Sequence, residues 1–264
     1  VPDRQELTVG DADGVRTLTL NRPSAYNSFT TGLKEALLAE LHLAGTDDSV
    51  RAIVLTGAGK AFSAGQDLRE HIAVLTAGVD EPMNTVDVHY NPLVRAVTTL
   101  PKPVIAAVNG TAAGAGASLA FACDLRVVAE SAKFLLAFAG VGLSADTGAS
   151  WTLPRLIGYG RAMELMLLSR PVTADEALRI GLVNRVVPDG EALPAAIELA
   201  ASMAAGPTTA YARIKGAMLA AAGADLEHAL AVESRAQAEL AATADHREAV
   251  QAFVDKRPPS FTGR

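Results

Sequence analysis

Two segments half a hundred residues apart, "VRAIVLTGAG" (50–59) and "PVIAAVNG" (103–110), each run a nearly unbroken apolar stretch into a glycine turn. Such a run, bounded by a turn and too short for a typical helix, reads as a strand buried on both faces. "LRVVAE" (125–130) is a third example, and "GVRTLTLNRP" (14–23) alternates apolar and polar residues before stopping at a proline, as a half-buried strand does. Helical patterns follow these strands. Residues 30–44 place Leu33, Leu37, Leu38 and Leu41 on one face behind Thr30 or Thr31 as N-cap. Strand, glycine turn and helix in alternation specify an α/β fold.

From about residue 193 the pattern becomes helical. "LPAAIELAASMAA", "TTAYARIKGAMLAAA", "DLEHALAVESRAQAELAA" and "DHREAVQAFVDKR" are successive helix candidates separated by breakers such as "GP" and "AGAD". A chain of 264 residues that is 50% hydrophobic can bury a sizeable core. Its net charge of −6, with no Lys/Arg cluster, argues against a nucleic-acid surface and favours a small soluble ligand. One cysteine, Cys123, cannot form an intramolecular disulfide, and "VPDRQELTVG" lacks the basic and apolar regions of a secretory signal, so a reducing cytoplasm is expected. Cys123 reads as a small buried hydrophobe. Residues 104–123 are too rich in Ala and Gly for a membrane span and read as buried strand, loop and helix.

Three features carry chemistry. "AFSAGQDL" (61–68) follows a strand; its small residues let a ligand approach backbone N–H groups, although an ordinary strand-to-helix turn has the same composition. "NGTAAGAGASLAFACD" (109–124) runs from a strand end into an apolar helix, whose first N–H groups, near Ala115, would face an anion or oxyanion. It lacks the lysine of a phosphate loop and the central serine of a nucleophile elbow. One donor from each segment would make an oxyanion hole. In "GLSADTGASW" (142–151), Asp146 is the single charged residue between positions 134 and 155. It reads as a helix N-cap or as a general acid/base whose apolar setting raises its pKa. His89 and Tyr90 lie on an amphipathic pattern and read as a solvated histidine and a core-edge tyrosine. His42, His71, His228 and His246 share no metal-ligand spacing, and no metal is expected. A serine hydrolase of Ser118, His89 and Asp146 would need a proximity the sequence does not specify.

These residues carry a resemblance over almost the whole chain. "LNRPSAYNSF", "AFSAGQDL", "PKPVIAAVNGTAAGAGASLAFACDLRVVAESAKF", the long stretch from "LPRLIG" to "GLVNRVV", and "AVQAFVDKRPPSF" resemble the crotonase superfamily of enoyl-CoA hydratases and isomerases. The resemblance implies a spiral of ββα turns over residues 1–192 and a helical trimerisation region over 193–264, giving a homotrimer or a hexamer. It implies an acyl-CoA substrate, with coenzyme A as part of that substrate and no separate cofactor. The thioester oxygen would be held by the backbone N–H groups of Gln66 and Ala115. The matching segments assign Ala25, Tyr26, Ala64, Asp67 and Leu68 to the coenzyme A surface, and Phe253 and Lys256 to a terminal segment closing over the nucleotide. Acyl specificity would reside between Arg69 and Tyr90. The two glutamates of enoyl-CoA hydratases correspond to Ser118 and Phe138, neither of which is a carboxylate base. "GLSADTG" resembles instead the stretch of 1,2-epoxyphenylacetyl-CoA and dienoyl-CoA isomerases whose aspartate handles the proton, and 4-chlorobenzoyl-CoA dehalogenase, whose aspartate is a nucleophile. The resulting expectation is an isomerase acting through Asp146, with a hydratase, a dehalogenase-like hydrolase and a non-catalytic coenzyme A-binding homologue as alternatives.

Overall fold

The computed structural model describes residues 5–264; the first four residues of the N-terminal segment read above lie outside them. Strands β1 (Leu7–Ala12) and β2 (Val15–Leu20) form an antiparallel hairpin, and α1 (Thr31–Thr46) follows, capped by the Thr30 hydroxyl, which accepts from the Leu33 N–H. The chain then winds. β3 (Ala52–Gly57) enters one sheet and β4 (Ala61–Ser63) another, before α2 (Leu68–Thr76), a π-turn (Val86–Tyr90) and α3 (Asn91–Thr99). β5 (Val104–Val108), β6 (Thr111–Ala113) and α4 (Ala115–Ala122) repeat the arrangement, as do β7 (Leu125–Ala129), β8 (Lys133–Leu135), α5 (Ala149–Ile157) and α6 (Tyr159–Leu168). β9 (Val172–Thr173), α7 (Ala174–Arg179) and β10 (Arg185–Val187) complete the sheets.

The larger sheet has the order β1-β2-β3-β5-β7-β10 and the smaller β4-β6-β8-β9. Within each turn the first strand joins the larger sheet and the second the smaller, both parallel to those of the preceding turn. The result is the expected ββα spiral. β3 and β5 are buried along their whole length, which is why their sequences lack alternation. Residues 104–123 are indeed strand, turn and helix, with the short β6 in the turn. Cys123 is buried, and burial pushes its thiol up to about 12, as an inert packing residue requires.

Four helices end the chain: α8 (Ala192–Ala204), α9 (Thr208–Ala221), α10 (Leu226–Ala241) and α11 (Ala244–Asp255). α8 lays Ala192, Ala195, Ala196, Ala200 and Ala204 against β3, β5 and β7, and so belongs to the core. α9 to α11 follow beyond Gly206. An alanine face lets helix and sheet approach closely, and local periodicity does not reveal which partner it meets.

One ion pair ties α9 to the core. Lys215 Nζ donates to Asp124 Oδ2 and to the Val97 carbonyl, each at 2.8 Å, while the Val104 N–H donates to the same carboxylate oxygen at 2.8 Å. Burial raises the Asp124 pKa, and the Lys215 charge opposes that rise. Lys215→Met would leave the carboxylate without its cation and should lower stability by about 2–4 kcal/mol, toward the lower part of the range for a pair not wholly dry. Urea unfolding checks this; a loss below about 0.5 kcal/mol, the ordinary range for surface substitutions, would mean that the pair does not hold the arm.

Candidate active site

The site begins where two backbones nearly touch. At the end of β4, Ser63 Oγ donates to the Asn27 carbonyl at 2.8 Å and accepts from the Gly65 N–H at 3.2 Å. The Phe29 N–H donates to the Gly65 carbonyl at 2.7 Å, and the Asp67 N–H to the Phe29 carbonyl at 3.0 Å. These bonds fix the peptides on both sides of Gln66. Among the described residues, the Gln66 N–H itself meets no acceptor. Gly65 has φ +85°, and a Cβ there would stand 2.9 Å from the Ala113 carbonyl oxygen and 3.2 Å from the Ala115 nitrogen. Only glycine fits both the left-handed backbone and the contact.

Across that contact lies the head of α4. A Cβ on Gly116 would fall 2.5 Å from the Ser63 carbonyl oxygen, so this helix turn presses directly on β4. Ala115 is the first residue of α4, and its N–H likewise meets no acceptor among the described residues. Two unpaired donors, one at a helix N-terminus, thus lie side by side. The Ala115 methyl is buried and accommodated where glycine would give the same N–H.

Beside the donors lies an exposed surface. The Ala64 N–H donates to the Tyr26 carbonyl at 2.9 Å, joining the two segments read as contacting coenzyme A. Tyr26 is 61% exposed and Leu68 69%, Ala64 is exposed and Ala25 half-buried. The Asn27 side chain holds this loop by donating to the Ala58 and Ala61 carbonyls and accepting from the Arg22 N–H. Asp67 differs from its neighbours, being buried and fully engaged. Its carboxylate accepts from Arg22 at 2.8 Å, from Ser28 at 2.9 Å and from the Arg69 and Glu70 N–H groups at the head of α2. Its side chain builds the turn. Phe253, 85% exposed, and Lys256 sit at the end of α11, which packs on α10; within the described residues no hydrogen bond or ion pair joins either to this surface.

Asp146 stands in the loop before α5, half-buried. It is not the helix cap: α5 starts at Ala149 behind Gly148, without a side-chain cap, and the Ala149 N–H bonds the Asp146 backbone carbonyl instead. Among the described residues the carboxylate is left with one protein donor, the Thr147 hydroxyl at 2.8 Å. Burial raises its pKa, against the Thr147 bond and the positive charge of Lys34, which lower it; the net direction is upward. Gly148 packs on the Val94 side chain of α3, which seats the loop against that helix. Ser118 is wholly buried and donates to the Gly114 carbonyl at 3.0 Å, within its own helix. That removes the serine-nucleophile reading. Phe138 is buried and apolar.

The sequence reading missed a polar cluster behind Gln66. Tyr90 is 1% exposed, not at the core edge, and its hydroxyl donates to Gln66 Oε1 at 2.7 Å. Lys34, also 1% exposed, donates to the same oxygen at 3.2 Å and to Thr85 Oγ1 at 2.5 Å. His89 is half-buried rather than solvated, its Nδ1 in a 3.1 Å hydrogen bond with Thr85 Oγ1. The available signal was Lys34 itself, three residues before Leu37 and seven before Leu41 and so on the inward face of α1. Among the described residues, no group of three or more His, Cys, Asp or Glu is placed to hold a metal, and no helix is long and apolar enough to cross a membrane.

The sequence pattern of the family described as enoyl-CoA hydratase/isomerase matches residues 10–264. This chain belongs to the enoyl-CoA hydratase/isomerase family. It is 44% identical over 251 residues to the 1,2-epoxyphenylacetyl-CoA isomerase of Escherichia coli, covering 95% of this chain and 96% of that one. It is also 44% identical over 256 residues to the "Probable enoyl-CoA hydratase" of Rhodobacter capsulatus, covering 96% of each. The crystal structure of an enoyl-CoA hydratase/isomerase homologue from Mycobacterium abscessus superposes with a TM-score of 0.94 at 41% identity, over 98% of this chain and all of that one. The fold is therefore that of the crotonase superfamily, and the protein is an enzyme of the hydratase/isomerase family.

The Asp67 bonds have a pH signature. Burial pushes this carboxyl up, but the bonds from Arg22, Ser28 and the Glu70 and Arg69 amides outweigh burial and hold it down at about 2. A depressed pKa stabilises the fold above the unfolded value of about 4, and the contribution fades as pH falls through the folded value. The stability gap between wild type and Asp67→Asn should be full at pH 7 and shrink between about pH 4 and pH 2. Denaturant midpoints at pH 7, 4 and 3 measure it; a gap independent of pH would contradict the assignment.

Proposed function

We propose that this enzyme is an acyl-CoA isomerase that moves a double bond, or rearranges an epoxide or oxepin of an aromatic acyl group, with Asp146 as the acid/base. The observation carrying this reading is a single half-buried, proton-ready carboxylate in the 142–148 loop, with Ser118 and Phe138 where the resemblance puts the water-activating glutamates of hydratases. The thioester oxygen lies between the Gln66 and Ala115 N–H groups. Asp146 removes a proton from the carbon next to the thioester of a 3-enoyl substrate, and the electron pair enters the carbonyl as an enolate. The same carboxyl then returns the proton to the far end of the former double bond, leaving the 2-enoyl isomer. Charge on the enolate oxygen grows toward the two donors and the α4 N-terminus, worth about 3 kcal/mol per donor in the transition state.

Supporting elements surround this chemistry. Ile72 and Leu75 on α2 are exposed and apolar, suited to lie along an acyl chain, within the segment expected to set specificity. Asp67 fixes the turn that carries Gln66, while Ala25, Tyr26, Ala64 and Leu68 face coenzyme A. Phe253 and Lys256 serve a neighbouring subunit's site in a trimer, where the exposed Ile214, Met218, Leu226, Phe253 and Val254 of α9–α11 would be covered. No metal or redox group is needed for the proton transfer.

Asp146→Asn is nearly isosteric and should retain acyl-CoA binding while losing turnover by ~10²–10⁴-fold. Conversion of trans-3-hexenoyl-CoA to the conjugated 2-enoyl thioester, followed by ultraviolet absorption, reads the loss; activity within a few-fold of wild type would sink the assignment. Because Asp146 must be ionised to accept the proton and its pKa is raised, kcat/KM should climb with pH through a value above the ordinary aspartate range. A hydratase is the second reading, favoured by the likeness to the Rhodobacter capsulatus protein. Rapid loss of conjugation on incubation with crotonyl-CoA would favour it over isomerisation.

A further inference from the structure

Lys34 is a buried ammonium with no carboxylate in contact. It projects from the first turns of α1 beneath the Gln66 loop, forms no ion pair within 4.0 Å among the described residues, and lies 4.8 Å from the centroid of the Tyr90 ring. Two of its N–H groups go to Thr85 Oγ1 and Gln66 Oε1, both neutral. A cation held dry by neutral partners costs stability unless the charge serves something nearby. The groups that feel it are Glu35 on its own helix, Glu70 on α2, and Asp146 in the loop before α5; the π-turn presents Tyr90 and, through Thr85, His89. Glu35 is exposed, and Glu70, half-buried like Asp146, is engaged by the Thr31 N–H and hydroxyl at the head of α1. For Asp146, Lys34 is the charge that opposes burial.

Resting on the isomerase reading, we propose that Lys34 is a positioning residue of the active site: with Tyr90 it binds Gln66 Oε1 and steadies the oxyanion donor, and the charge it keeps there acts on Asp146. Thr85 and Gln66 pin Nζ in one place, so the charge acts from a constant position. Gln66 couples the two effects, its side-chain oxygen bound by Lys34 and Tyr90 and its backbone N–H reserved for the thioester oxygen. Burial pulls the lysine toward its neutral form, and the carboxylates of Glu70, Asp146 and Glu35 oppose that pull. The lysine and the base thus sustain each other's ionisation across the site.

Infrared difference spectra of wild type against Asp146→Asn follow the Asp146 carboxylate through a pH titration without any substrate. In Lys34→Met the titration should move to higher pH, because the cation that opposes burial is gone, and Lys34→Arg should return it toward the wild-type position. Lys34→Gln, which keeps a donor for Thr85 and removes only the charge, gives the same comparison if the methionine variant does not fold. A titration unchanged in a folded, neutral variant would overturn the proposal. In turnover, the acid limb of kcat/KM should follow the same shift. Tyr90→Phe should lower kcat with little change in KM and leave the titration in place; an unchanged kcat would remove the Gln66 part of the proposal. A wild-type enzyme inert on trans-3-hexenoyl-CoA but with a Lys34-dependent titration would sink the isomerase reading alone.

Discussion

The closeness of β4 to the head of α4 governs what this molecule can do. Gly65 and Gly116 let a strand end and a helix start meet backbone to backbone, with no side chain between them. Each is reached by a separate turn of the spiral, so the contact exists only when successive turns stack in register. The donors of the proposed oxyanion hole are then main-chain atoms, and these are rigid because they are also the joint of the fold. Asn27, Ser63, Phe29 and Asp67 tie the peptides around Gln66 from several directions, which leaves its N–H free without leaving it loose.

Around that rigid joint, polar side chains fall into two groups. Asp67 and Arg22 spend their charges on each other and on the first turn of α2, inside the loop that carries the proposed coenzyme A surface. Among the described residues, Asp146 and Lys34 do not spend theirs in contact with an opposite charge, and both remain partly or wholly shielded from water. Electrostatic effects between them are consequently stronger than between surface charges. The first group holds the loop in shape, while the second, in the proposed mechanism, determines which protons the site can move.

Much of this was legible in the chain. β3, β5 and β7 were readable as apolar runs because both their faces are covered, and α4 was readable from the glycine-to-apolar transition at Ala115. Strands β4, β6 and β8, three residues each, carry too few side chains to display a period, so the second sheet and the spiral were visible only through family likeness. Asp146 stood out by its isolation, yet its two roles could be separated only by the backbone angles of Thr147 and Gly148, which start α5 three residues after it. Lys34 and Tyr90 meet Gln66 from 32 and 24 residues away, a proximity that no local pattern encodes. The placement of α8 in the core was hidden for the same reason.

Because the proposed oxyanion donors are main-chain N–H groups, they have no genetic letter of their own. Substitution at Gln66 or Ala115 alters what surrounds the donor but not the donor, as the alanine at a position compatible with glycine illustrates. The acid partner, by contrast, is one side chain on a loop outside both sheets. A fold arranged in this way inherits its charge-stabilising apparatus whole and can exchange its proton chemistry a codon at a time.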